Sequence, residues 1–196
     1  ASPDRLIGLA NIPSHDMEAA VAEVKRAAAR GVRGIDVANR PDMIPLYDEF
    51  YEPLWRVAEE TGLPVHFHTI GGRSPDYTKM NAKVARRAFA THITGFQMHM
   101  SLMLMQLMYS GALERYPNLK VVIGEAGLGW IPYVLQHMDM EWEDQFKDLE
   151  LTMKPSDYFR RNCYIGSAFP SPSDASIIRE VGIERVMWGS DYPHIE

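Results

Sequence analysis

Short apolar runs alternate with longer amphipathic stretches along the whole chain. Six of the runs read as β-strands: Arg5–Ala10, Gly34–Val37, Pro64–Thr69, Lys120–Gly124, Asn162–Ile165 and Arg185–Gly189. Most are nearly continuous in apolar residues, the pattern of parallel strands covered on both faces. Between them the apolar positions recur at helical spacing. In Asp16–Arg30 the residues Met17, Ala20, Val21, Val24, Ala27 and Ala28 fall three and four apart. Ser14 or Asp16 can cap the start of that helix, and Gly31 sits where a C-terminal glycine belongs. Further helices are expected at Leu46–Glu60, Lys79–Arg115 (broken near Gly95 and Gly111), Leu128–Leu149 and Ser173–Val181.

Strand, helix, glycine, strand, repeated, predicts an α/β fold with a parallel sheet. Right-handed crossovers leave two architectures, an open doubly wound sheet or a (β/α) barrel. The strands recur every ~25–30 residues where nothing intervenes, as barrel units require. The step from Thr69 to Gly124 is longer, which places an active-site insertion around residues 70–110. The chain has 196 residues, fewer than the ~250 of a typical eight-unit barrel. The expectation is therefore a single incomplete barrel domain over 1–196, with sheet edges that invite a second copy. The first residue is not Met and the last follows an apolar run, so both ends read as cut from something longer, or processed.

Composition narrows the function classes. A formal net charge of −6 without a Lys/Arg cluster argues against a nucleic-acid partner. Cys163 is the only cysteine, which excludes an intrachain disulfide and fits a reducing, cytoplasmic setting. Ala88–Leu113 carries no charged residue, but Thr91, His92, Thr94, Gln97, His99, Ser101 and Gln106 interrupt it, so it reads as a buried or amphipathic helix and not as a membrane span. The first residues lack the apolar core of a secretion signal.

The candidate chemistry gathers at the C-terminal ends of the predicted strands, where barrel enzymes place their active sites. His66-Phe67-His68 ends the third run, and strand periodicity puts both imidazoles on one face. Two neutral imidazoles so placed suit a divalent transition metal. A buried, hydrogen-bonded His with an incidental neighbour is the other reading. Glu125 follows the fourth run inside GEAGLGW and is placed as a general acid/base or a ligand, or simply rides a glycine-rich turn. The glycine spacing there is not that of a dinucleotide site. Asp191 follows the sixth run, as a metal ligand and base or as a turn residue. His194 lies beyond it. Arg73, in the loop after His68, could hold a substrate carboxylate or be solvated, and Asn39 or Arg40 could face the substrate from the loop after the second run. The methionines from Met98 to Met108 read as core or pocket packing, and Cys163 as inert core.

AEETGL followed by PVHFHT, then GALERYPNLKVVIGEAGLGWIPYVLQHMD, then RVMWGSDYPH, together resemble the amidohydrolase-related metal-dependent hydrolases. Within them the similarity is to the branch of aminocarboxymuconate-semialdehyde decarboxylase and related aromatic-acid decarboxylases. The resemblance implies a distorted (β/α)8 barrel with one divalent metal, commonly zinc, with manganese as an alternative. The six strands here would be its third to eighth. It implies His68 and Asp191 as metal ligands, Asp191 also as acid/base; strand-end placement adds Glu125 as a second acid/base, where that family has a His, and His66, Arg73 and His194 as pocket residues. The family's first-strand His pair has no counterpart in this chain. The implied activity is hydrolysis or non-oxidative decarboxylation of a small carboxylated cyclic or aromatic-derived metabolite. A catalytically inactive fragment or scaffold pairing through its sheet edges, and a flavodoxin-like or Rossmann cofactor binder, are the alternatives.

Overall fold

In the computed structural model the described residues are 5–38, 40, 42–68, 75–168, 170–190 and 192. Six strands form one sheet: β1 (Ala10–Ile12), β2 (Ile35–Val37), β3 (Val65–His68), β4 (Val121–Gly124), β5 (Cys163–Ala168) and β6 (Val186–Gly189). All neighbours are parallel, and the spatial order follows the chain order without reversal. A doubly wound sheet would reverse its order at a switch point. This order is that of a (β/α) barrel, in which right-handed crossovers stack every connecting helix on one face. The Rossmann and flavodoxin readings fall with it.

The helices are α1 (Met17–Ala29), α2 (Glu52–Thr61), α3 (Ala82–Gly95), α4 (His99–Tyr109), α5 (Ala112–Arg115), α6 (Ile131–Asp144), α7 (Pro155–Asn162) and α8 (Asp174–Val181). Asp16 caps α1 by accepting from the Ala19 amide at 3.0 Å. The expected break in the long apolar stretch occurs at Gly95, where a 3-10 turn (Phe96–Met98) joins α3 to α4, and again at Gly111. The helix expected from Leu46 begins only at Glu52, after a 3-10 turn capped by Asp48 and with a proline in its own first turn. No element was expected between Leu149 and Asn162, where α7 forms behind Pro155.

The strands are not apolar on both faces. Ile12, Ile35, Val37, Val65, Phe67, Val121, Ile123, Cys163 and Ile165 turn toward the helices and are fully buried with Leu54, Trp55, Leu104, Leu107 and Phe159. Burial pushes the Cys163 thiol up to about 12, so it is inert at neutral pH. The alternate positions of β1–β3, Asn11, Asp36, His66 and His68, point the other way and are polar. The strand expected at Arg5–Ala10 is also displaced: pairing begins at Ala10, and Leu6, Ile7 and Leu9 are exposed. The ladder with β2 starts at Ala10, which pairs with Ile35 and donates its amide to the Gly34 carbonyl at 3.1 Å.

Bonds at the N-terminal ends of the strands fix the sheet. Asn162 is buried, and its side-chain amide donates to the carbonyls of Pro117 at 3.0 Å and Leu119 at 2.7 Å, tying the start of β5 to the lead-in of β4. Glu59 accepts from the Asn118 amide at 2.7 Å, and Glu52 pairs with Arg115 and Tyr116. The Tyr158 hydroxyl donates to Glu114 and accepts from the amides of Thr152 and Met153. The segment ERYPN is therefore a structural clamp at the end of the sheet opposite His68.

Candidate active site

His68 is the last residue of β3 and pairs in register with Gly124, the last residue of β4. Glu125 follows immediately. Its φ is +49°, a left-handed conformation that a β-substituted residue enters at a cost of ~1–2 kcal/mol. That turn lets the carboxylate reach back to the neighbouring strand end, where Oε2 lies 2.9 Å from Nε2 of His68. His68 is about half exposed (53%) and Glu125 is mostly covered (16%), so the imidazole faces open space while the carboxylate backs it. The turn itself is fixed from below. Ala126 donates its amide to the Gly166 carbonyl at 3.2 Å, and the indole of Trp130 donates to the Ala126 carbonyl at 2.7 Å. Gly127 takes φ +65°, and a Cβ there would come within 2.8 Å of the Gln97 side-chain oxygen. The positive φ at Gly127 is a conformation that glycine enters without strain.

His66 lies on the same face as His68, one pleat below, with Phe67 buried on the other side as the alternation requires. Register places Asn11, Asp36 and His66 in one row across β1, β2 and β3. The Asn11 side-chain amide donates to Asp36 at 3.5 Å. Burial lowers the His66 pKa below the usual imidazole value, and the Asp36 carboxylate opposes that shift only partly. Gly34 makes room for the ring: a Cβ there would stand 3.0 Å from His66 Nε2 and 2.8 Å from Leu9. Asp36 and Asn11 are the polar residues that the sequence analysis missed. The available signal was an acid and an amide each set inside an otherwise apolar run, on the parity that β3 gives its histidines.

The structure thus brings His68 and Glu125 together and sets His66 beneath them. Asp191, Arg73, His194 and Asn39 lie outside the described residues. His99 opens α4 and is exposed, and Met100, Met103 and Met108 are core, while Met98 is exposed. Among the described residues, no group of three His, Cys, Asp or Glu side chains is arranged to hold a metal, and no helix is long and apolar enough to cross a membrane.

The fold as a whole has counterparts among known proteins. The family model described as Amidohydrolase matches residues 1–196. The chain belongs to the amidohydrolase family. It is 27% identical to a gamma-resorcylate decarboxylase from Rhodococcus jostii and 26% identical to one from Polaromonas sp., in each case over 97% of the chain and 61% of the relative. The solved structure of 5-carboxyvanillate decarboxylase from Sphingomonas paucimobilis superposes with a TM-score of 0.80 at 28% identity, covering 98% of this chain and 58% of that one. The chain spans about three fifths of the length of the curated relatives it matches. The decarboxylase branch that the ERYPNLKVV and WGSDYPH segments resemble is the one these relatives occupy.

Proposed function

We propose that this amidohydrolase-family protein is a metal-dependent non-oxidative decarboxylase of a small aromatic carboxylate. The observation that carries the reading is the 2.9 Å approach of Glu125 to His68 at the mouth of the strands, backed by decarboxylase names among the relatives. Hydrolysis uses similar side chains, but those names favour carbon–carbon cleavage.

A mixed nitrogen and carboxylate-oxygen donor set suits a divalent ion such as borderline zinc or harder manganese. His68 would hold it, with Asp191 as the further ligand that the family resemblance implies, and Glu125 next to the imidazole. When bound, such an ion withdraws electron density from the substrate oxygens it meets. The chain's own residues do the rest. Decarboxylation breaks the bond between a ring carbon and its carboxylate, leaves the electron pair on the ring carbon and releases carbon dioxide. A proton must then reach that carbon. Glu125 would hold it on the carboxylate oxygen turned away from His68, a role supported by its mostly covered carboxylate at the strand mouth, and Asp191 would share this acid/base role. The Glu125 contact also fixes the ring orientation of His68, as carboxylate neighbours do for ligating histidines.

Elemental analysis of the intact protein, followed by a turnover screen of hydroxylated benzoates monitored by carbon dioxide release, tests the proposal. The expected result is close to one ion per chain, lost in His68→Ala, and release of carbon dioxide that Glu125→Gln abolishes while the ion stays. A metal-free active protein, or unchanged turnover in Glu125→Gln, overturns it.

A further inference from the structure

The loop after β2 and the helix α4 enclose a cleft at the same end of the sheet as His68. Its lining is mixed. Met43, Leu102 and Met103 form apolar walls, and Arg40 and His99 add polar groups. The volume is about 130 Å³, close to the ~150 Å³ that accommodates one benzene ring. Gln106 braces the cleft by accepting from the Leu46 amide at 3.1 Å, which ties the loop to α4.

Arg40 is the cation of the cleft. Its Nε and Nη2 form a fork with Asp42 at 2.9 and 3.3 Å. A guanidinium has five N–H donors, so the fork does not exhaust it. Both partners are largely exposed, 55% for Arg40 and 69% for Asp42. An ion pair so wet is held weakly and exchanges partners readily. Planar, bidentate recognition of a carboxylate is what a guanidinium does best.

Arg40 lies three residues beyond β2, the strand paired with β3, whose last residue is His68. Two other grooves also hold an arginine paired with a carboxylate. The one between α6, α7 and α8 is lined by Asp139, bonded to Ser156, and by Arg160, paired with Asp157. The one near α2 is mostly acidic, and its Arg115 is paired with Glu52.

We propose that this cleft is an outer subsite for an aromatic carboxylate, the ring lying between Met43 and Leu102, above the buried Met103, and the carboxylate on Arg40. The choice of ligand rests on the decarboxylase reading, while the cleft's chemistry stands on its own residues. Asp42 then acts as an internal competitor that occupies the guanidinium until the ligand arrives.

Benzoate, with benzamide as its uncharged counterpart, is titrated into the intact protein carrying methyl-labelled methionine. Benzoate is expected to shift the Met43 and Met103 methyl signals and benzamide to do so far more weakly. Arg40→Gln should weaken benzoate about tenfold, and Asp42→Asn should tighten it severalfold by removing the competitor. A structural role for the pair predicts the opposite for Asp42→Asn, and that result overturns the proposal. So do methyl shifts indifferent to Arg40→Gln, or no shifts at all. The parent protein separates the two readings: benzoate binding in the cleft without turnover of any hydroxylated benzoate keeps the subsite and removes the decarboxylase. Turnover whose KM ignores Arg40→Gln does the reverse.

Discussion

The two ends of the sheet are built on different principles. At the N-terminal ends of the strands, Asn162, Glu59 and Tyr158 bond backbone carbonyls and amides, and Glu52 and Glu114 bond neighbouring side chains. At the C-terminal ends, Glu125 takes an unfavourable backbone conformation, His68 is half exposed, and Asp36 and His66 occupy positions that apolar residues hold elsewhere in the strands. One end spends its polar groups on holding strands in register. The other keeps them for a ligand, and the fold tolerates this because the first end and the helix-facing core carry the stability. Barrel enzymes divide labour in this way because loops at one end can vary without disturbing the layers beneath.

The largest expected effect comes from opening the closed end. Asn162→Ala removes the donor to two carbonyls and leaves a small void, so it should destabilise by about 2–4 kcal/mol. His68→Ala at the other end should change stability by no more than about 0.5 kcal/mol. Urea unfolding of both variants measures the contrast, and equal losses would erase it.

A smaller effect of opposite sign is expected at Glu125. Glycine adopts φ +49° without penalty, so Glu125→Gly should stabilise by about 0.5–1 kcal/mol while removing the carboxylate that the proposed chemistry needs. Thermal unfolding alongside the turnover assay reads both. A destabilised variant would mean that the His68 contact outweighs the backbone strain.

The smallest effect sharpens the closed end by pH. The Tyr158 hydroxyl, with help from Thr152, holds the Glu114 carboxyl below its ordinary value of 4.5. A carboxyl depressed in the folded state stabilises the protein above its unfolded pKa and loses that contribution as pH falls through the folded one. Glu114→Gln should therefore flatten the stability profile below about pH 4.5, read from urea midpoints across the acid range. A profile parallel to that of the parent would remove Glu114 from the clamp.

Much of this was legible without coordinates. The run PVHFHT shows its alternation directly, and both histidines do share a face. The helix break at Gly111 follows from glycine's freedom to take φ +72°, and the one at Gly95 from its weak helix propensity. The segment RLIGLA misled because apolar content alone does not make a strand: Leu6, Ile7 and Leu9 stay exposed, and the ladder with β2 starts at Ala10. α7 was missed because PSDYFRRN has few apolar residues, and its helix is held by contacts distant in sequence, such as Asp139 accepting from the Ser156 amide at 2.9 Å.

Periodicity and glycine placement, which act over a few residues, determined the alternation of strand and helix and the face that each strand-end histidine takes. The consecutive strand order, the meeting of Glu125 with His68, the row from Asn11 through Asp36 to His66, and the seat that Gly34 leaves for an imidazole were decided by the tertiary structure. Each depends on the register between separate strands, which is set by packing against the helices and by the closed end of the sheet.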